Sequence, residues 1–174
     1  MSTAIRGLMA IADDAAEWKL DPVEQARAAC DGGASVVQLR VKRAVDSTAL
    51  AWAESIREIT RERQVAFFVN DRFDLALAAR ADGVHLGQQD LPASRLPAAA
   101  RAKLMLGLST HSLAEARAAR ANAPDYIAFG PVFATRTKEV GGDPRGLEAL
   151  AEVVRAVAPC PVVAIGGIDA RNAA

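Results

Sequence analysis

VAFFVNDRFDLALAARADGVHLGQQD, residues 65–90, carries two short apolar runs separated by a helical pattern. The first run, 66–69, stops at Asn70-Asp71. The second, 82–86, stops at Gly87-Gln88-Gln89-Asp90. Between them Leu75, Ala78 and Ala79 recur at helical spacing, so the stretch predicts a strand, a short helix and a second strand. Strands joined by so brief a crossover are parallel neighbours with a right-handed connection. Asp71 and Asp90 then leave the same C-terminal edge of one sheet.

The same unit recurs on both sides. Upstream, residues 8–12 read as a strand ending in Asp13-Asp14. Pro22 opens a helix through about Ala29, and Gly32-Gly33 closes it, in the proline-first, glycine-last pattern. Residues 36–39 form the next strand and run into Arg40 and Lys42. Asp46 or Ser47 is expected to cap a helix in which Ala49, Trp52, Ile56 and Ile59 make one apolar face. Downstream, 92–101 reads as a short helix and 104–108 as a strand ending in Ser109-Thr110-His111. Ser112 caps the following helix, with Glu115 placed for a capping box. A strand over 126–129 leads to Gly130-Pro131 and a long aperiodic loop, 134–145. The spacing of Leu147, Leu150, Val153 or Val154, and Val157 predicts another helix. A last strand, 162–165, ends in Gly166-Gly167, and Asp169 is placed to cap one more helix.

Seven such units, with no linker or break in composition, predict an α/β chain forming one domain over 1–174. The expected architecture is a TIM (β/α)8 barrel lacking its eighth β/α unit. A doubly wound open sheet is the alternative. A closed barrel needs eight strands, so the chain is read as truncated at its C-terminus, or else something other than an eighth unit covers the edges of strands one and seven.

Composition narrows the class of partner. Of 174 residues 51% are hydrophobic, and 21 basic residues balance 21 acidic ones. Zero net charge argues against a partner gripped through a nucleic-acid backbone or an anionic membrane, so any phosphate recognition is expected to be local. Self-association is left open. No run approaches the roughly 18 apolar residues of a membrane span. Asp13 and Asp14 interrupt the only apolar run near the N-terminus, so no signal layout is present and a cytoplasmic setting is expected. Cys30 and Cys160 fit no metal or redox spacing and read as small buried hydrophobes.

In a parallel barrel the chemistry sits at the C-terminal ends of the strands. Those ends carry Gln38, Arg40 and Lys42; Asn70 and Asp71; His85, Gln88 and Asp90; Ser109, Thr110 and His111; Thr135, Thr137 and Lys138; and Gly166 and Gly167. Arg40 and Lys42 alternate along an extended segment and can address a phosphate from one side. Two carboxylates with a polyphosphate between them suit Mg²⁺. Adjacent glycines let backbone N–H groups approach a phosphate. Each residue also has a plainer reading. Asn70-Asp71 and Asp90 can cap helices, His85 can be a core histidine, His111 can start a helix, and Gly166-Gly167 can be a turn. Their common position on one rim favours the functional reading.

At these residues the chain resembles thiamine phosphate synthases. The matching segments are VVQLRVK (36–42), FFVNDRFDLALAARADGVHLGQQDLP (67–92), LGLSTHSLAEA (106–116), DYIAFGPVFATRTK (125–138), GLEAL (146–150) and PVVAIGGI (161–168). The resemblance implies a barrel transferase that joins hydroxymethylpyrimidine diphosphate to a thiazole phosphate, carboxylated or not, releasing pyrophosphate. It implies Asp71 and Asp90 as Mg²⁺ ligands. Gln38, Arg40, Lys42, Asn70, Ser109 and Lys138 would hold the pyrimidine diphosphate, with Arg40, Ser109 and Lys138 assisting the reaction itself. Thr135, Thr137, Gly166 and Gly167 would hold the thiazole phosphate, and His85 would line the pocket. The family's eighth strand, which completes the thiazole phosphate site, is absent from the sequence. Two alternatives stay open. One is a related thiazole tautomerase moving a proton through His111 or His85. The other is a barrel that binds thiamine precursors without turning them over.

Overall fold

The alternation of apolar runs and amphipathic stretches becomes strand and helix in turn in the computed structural model, which describes residues 5–135 and 143–173. The strands are parallel in every recorded pairing, and the connections between them run through helices, giving an α/β fold. The chain forms two compact units. One runs through Leu86 and takes in Asp90–Leu106; the other comprises Gly87–Gln89 and the residues from Gly107 onward.

In the first unit β1 (Met9–Asp13), β2 (Val36–Arg40), β3 (Ala66–Asn70) and β4 (Gly83–Leu86) lie side by side in chain order. The register aligns Ile11 with Gln38, Gln38 with Phe68, and Phe68 with Gly83. Side chains alternate between faces of a sheet. Ala12, Leu39, Val69 and Val84 therefore share one face, and all are at most 1% exposed. Asp13, Gln38, Arg40, Asn70 and His85 share the other. The polar residues collect toward the C-terminal ends of that second face, where Asp13 pairs in register with Arg40 and Asn70 with His85. The close approach over β4 depends on Gly83, since a Cβ there would lie 2.2 Å from the Phe68 ring.

Three helices accompany these strands. α1 (Pro22–Asp31) begins with a full capping box, in which Asp21 accepts from the Glu24 N–H and Glu24 accepts from the Asp21 N–H. α2 (Asp46–Glu62) buries Ala49, Ala53, Ile56 and Ile59, and full burial of a side chain such as Ile56 is worth about 1.5–3 kcal/mol. Neither Asp46 nor Ser47 caps it. The helix already includes both, and Val45 precedes it without a side-chain cap. α3 (Phe73–Ala78) is short. The single helix expected over 92–101 is two pieces, a 3-10 turn at Ala93–Arg95 and α4 (Ala98–Arg101). Pro97 divides them because it removes an N–H donor and biases Leu96 to extended backbone.

The second unit holds β5 (Met105–Thr110) from Gly107 onward, then α5 (Leu113–Arg120), β6 (Tyr126–Phe129), α6 (Gly146–Val157) and β7 (Val162–Ala164). Gly107 aligns with Tyr126 and Phe129 with Ala164. α5 is capped by Ser112, whose hydroxyl accepts from the Glu115 N–H. Glu115 reaches one residue beyond the expected box and accepts from the His111 N–H at 2.7 Å. α6 buries Val153 and Val157 but leaves Leu147 and Val154 exposed, and Ile165 and Ile168 are exposed after β7. Both cysteines are free and buried, and burial pushes each thiol pKa up. Among the described residues no helix is long and apolar enough to cross a membrane.

Candidate active site

Lys42, Asn70 and Asp71 line one cleft of about 310 Å³ in the first unit, together with Asp46, Arg72 and Leu75. The apolar run of β3 ends at Asn70, and the backbone then turns sharply. Asp71 has φ +65°, a left-handed conformation that Asp tolerates better than most residues. Its N–H donates to the His85 carbonyl at 2.7 Å, so the turn is tied to β4. Neither Asn70 nor Asp71 caps α3, whose N-cap is Arg72 without a side-chain cap bond. That removes the plainer reading of this pair. The 3-10 turn after Asp90 is likewise preceded by Pro92, with no side-chain cap.

The charges in the cleft are unequal in availability. Arg72 donates to Asp74 through Nε (2.8 Å) and Nη2 (2.7 Å), and to Asp46 through Nη1 (2.9 Å). These bonds hold Arg72 well above, and both carboxylates below, their ordinary pKa values. Arg72 is thus committed within the protein. Among the described residues Lys42 ion-pairs through Nζ with Asp71 Oδ2 at 2.5 Å, with its side chain about half exposed. An exposed pair of this kind is worth about 0–1 kcal/mol, so a multiply charged ligand can displace it.

Beside the cleft, Arg40 donates through Nη1 to Asp13 Oδ2 at 2.6 Å, and Asp13 is only 4% exposed. The sequence reading placed Asp13 at a strand end without assigning it a role. Asp14 went unassigned too, yet its carboxylate accepts three backbone N–H bonds, from Lys42, Arg43 and Ala44, each at 2.8 Å. Partial burial opposes ionisation of Asp14. The three amide donors and the nearby Arg40 outweigh it and hold the carboxyl below its usual range. Gln38 and His85 are 3% and 5% exposed on the polar face. Asp90 is half-buried on the segment after β4.

In the second unit Ser109 and Thr110 end β5. The Ser109 carbonyl accepts from Gln88 Nε2 at 2.5 Å, and the Thr110 hydroxyl donates to the Ala128 carbonyl at 3.0 Å. His111 Nδ1 lies 2.7 Å from the Gly130 carbonyl. A carbonyl only accepts, so Nδ1 carries the proton and Nε2 is the acceptor of the neutral ring. Thr135 is half-buried at the start of the loop. Thr137 and Lys138 lie outside the described residues. Gly166 and Gly167 have φ +96° and +66°, and a Cβ on Gly167 would stand 2.4 Å from the Ala134 carbonyl oxygen. The Val132 and Phe133 N–H groups donate to the Ile165 and Gly166 carbonyls at 2.9 and 3.0 Å. The glycine pair therefore lets the segments after β6 and β7 run against each other, a nonlocal requirement beyond a simple turn.

Among the described residues no group of three or more His, Cys, Asp or Glu side chains could cage a metal ion. The available donors are hard carboxylate oxygens. That chemistry fits an ion such as Mg²⁺, which binds through one or two carboxylates and completes its shell with water and substrate phosphate.

Residues 8–174 match the family model described as thiamine monophosphate synthase. A thiamine-phosphate synthase of Anaeromyxobacter dehalogenans is 50% identical over 85% of this chain and 66% of its own length. One from Chlorobium limicola is 44% identical over 87% and 72%. Among solved structures, the thiamine phosphate pyrophosphorylase of Pyrococcus furiosus superposes with a TM-score of 0.81 at 38% identity. That match covers 92% of this chain and 75% of the other. The chain spans about two thirds of the length of the first of these relatives.

Proposed function

The chain belongs to the thiamine monophosphate synthase family, and from that premise we propose that it is a transferase of thiamine biosynthesis. It condenses 4-amino-2-methyl-5-hydroxymethylpyrimidine diphosphate with a thiazole phosphate to give thiamine phosphate and pyrophosphate. A carboxylated thiazole also releases CO₂. The observation that carries the reading is the pairing of Lys42 with Asp71 at the mouth of one cleft, within a chain whose relatives bear the synthase name.

The reaction is a substitution at the pyrimidine methylene carbon. Its C–O bond to the diphosphate breaks, and the electron pair leaves with the phosphate oxygen. The thiazole nitrogen lone pair forms the new C–N bond. A free lone pair needs no general base, so the demand on the protein is charge and placement. Lys42, Arg40, Asn70, Gln38, Ser109 and Lys138 bind the diphosphate and meet the negative charge that grows on it, Arg40, Ser109 and Lys138 during bond breaking. Thr135, Thr137, Gly166 and Gly167 hold the thiazole phosphate, and His85 lines the pyrimidine pocket. Asp71 and Asp90 would hold Mg²⁺, which when bound neutralises charge on the diphosphate oxygens. The reading is of a cytoplasmic enzyme built on a TIM-type (β/α) barrel domain.

Incubating the full chain with both substrates and Mg²⁺, and assaying thiamine phosphate and pyrophosphate, tests this reading. Product in stoichiometric amounts supports it. Folded protein that yields neither overturns it, and turnover of the thiazole alone without Mg²⁺ would select a tautomerase instead.

A further inference from the structure

The segment carrying Lys42 is irregular and exposed, yet one side chain fixes three of its consecutive amides. Asp14 Oδ1 accepts from the Lys42 N–H, and Oδ2 accepts from the Arg43 and Ala44 N–H groups, each at 2.8 Å. The Asp14 N–H donates in turn to the Arg40 carbonyl at 3.3 Å. Successive N–H groups converging on one anion form a concavity that only an acceptor with two oxygens fills. An asparagine of the same shape would offer one acceptor and set its amide hydrogens against the remaining N–H groups.

The tether matters because of what lies at the other end of the same residue. Lys42 is held at its backbone by Asp14 and reaches Asp71 with its ammonium. Lysine has a long, rotamer-rich stem, and ordering it carries a side-chain entropy cost. Fixing its Cα removes the segment's own motion from that cost.

We propose that Asp14 is a positioning residue that clamps the 42–44 backbone and so places the Lys42 ammonium against the leaving diphosphate. The proposal rests on the synthase reading above. Asp14 touches no reacting atom and acts only through Lys42.

A double-mutant cycle on the full chain tests it, with pyrophosphate plus Mg²⁺ as the calorimetric probe and steady-state kinetics beside it. Asp14→Asn should weaken pyrophosphate binding about tenfold, the size of effect that a lost charge-assisted hydrogen bond produces. It should raise KM for the pyrimidine diphosphate by a similar factor while leaving KM for the thiazole phosphate unchanged. In a Lys42→Ala background the same substitution should change pyrophosphate affinity no further. Asp14→Ala, which removes both acceptor oxygens, should lose at least as much affinity as Asp14→Asn, and it serves if Asp14→Asn folds poorly. Unchanged affinity in a merely less stable Asp14→Asn protein overturns the proposal. So does an equal loss in the Lys42→Ala background. Wild-type protein that neither binds pyrophosphate nor forms product overturns the synthase reading itself, and the positioning role with it.

Discussion

The Lys42 ammonium stands 2.5 Å from the Asp71 carboxylate, the first on the segment leaving β2 and the second on the turn leaving β3. The two strands are parallel neighbours, so the pair is a direct product of sheet order. A diphosphate must compete with Asp71 for the lysine, and a cation must compete with Lys42 for the carboxylate. Because the pair is partly exposed, separating it costs at most about 1 kcal/mol, and a ligand carrying both charges satisfies each partner at once.

Asp71→Asn keeps the side chain's shape and removes its charge. We expect kcat/KM to fall about 10²-fold or more, the scale of losing one electrostatic contribution to the transition state, with the melting midpoint little altered. Paired kinetics and thermal denaturation check this. A fully active variant would end the metal-ligand assignment.

Lys42→Ala removes the half-exposed partner. Stability should change by less than about 1 kcal/mol, whereas kcat/KM for the pyrimidine diphosphate should drop about 10²-fold. Kinetics at varied concentration of each substrate will show whether the loss follows the diphosphate. Equal losses for both substrates would place Lys42 elsewhere.

Gly167→Ala puts a Cβ 2.4 Å from the Ala134 carbonyl oxygen at a φ of +66°. Strained backbone of this kind costs about 1–3 kcal/mol, so the denaturation midpoint should fall. KM for the thiazole phosphate should rise as the segments after β6 and β7 separate. A variant of unchanged stability would contradict the close approach itself.

Acid should release the Asp14 clamp. The folded pKa of Asp14 lies below its ordinary value of 3.8, so between the two values the unfolded chain binds the proton more readily. The stability this contributes is complete above the unfolded value and is lost as pH falls through the folded one. Asp14→Asn should therefore flatten the pH dependence of unfolding free energy below about pH 4, and leave its slope near neutrality unchanged. Denaturant titrations at stepped pH measure both limbs.

Local patterns were readable where the chain obeys a local rule. The run 126–129 is a strand to the residue, and Pro22 opens α1 as its fixed φ predicts. Ser112 caps α5 because a hydroxyl three residues ahead of the Glu115 N–H is a short-range device. The helix over 92–101 failed locally as well, since Pro97 was available as a breaker signal. The clamp by Asp14 was invisible for another reason. Its partners lie 28 to 30 residues downstream, and only the pairing of β1 with β2 brings them together. The Arg40–Asp13 ion pair is nonlocal in the same way. The one available hint was an Asp-Asp doublet at a strand's C-terminal end, the position where the other strands had supplied candidates.

The left-handed turn at Asp71 also constrains how this gene can drift. Glycine and asparagine accept such backbone most readily, and each lies a single nucleotide from aspartate. Neither carries a carboxylate. Chemistry at this codon can therefore be erased in one step while the product still folds, and descendants lost this way would keep the family's sequence without its reaction.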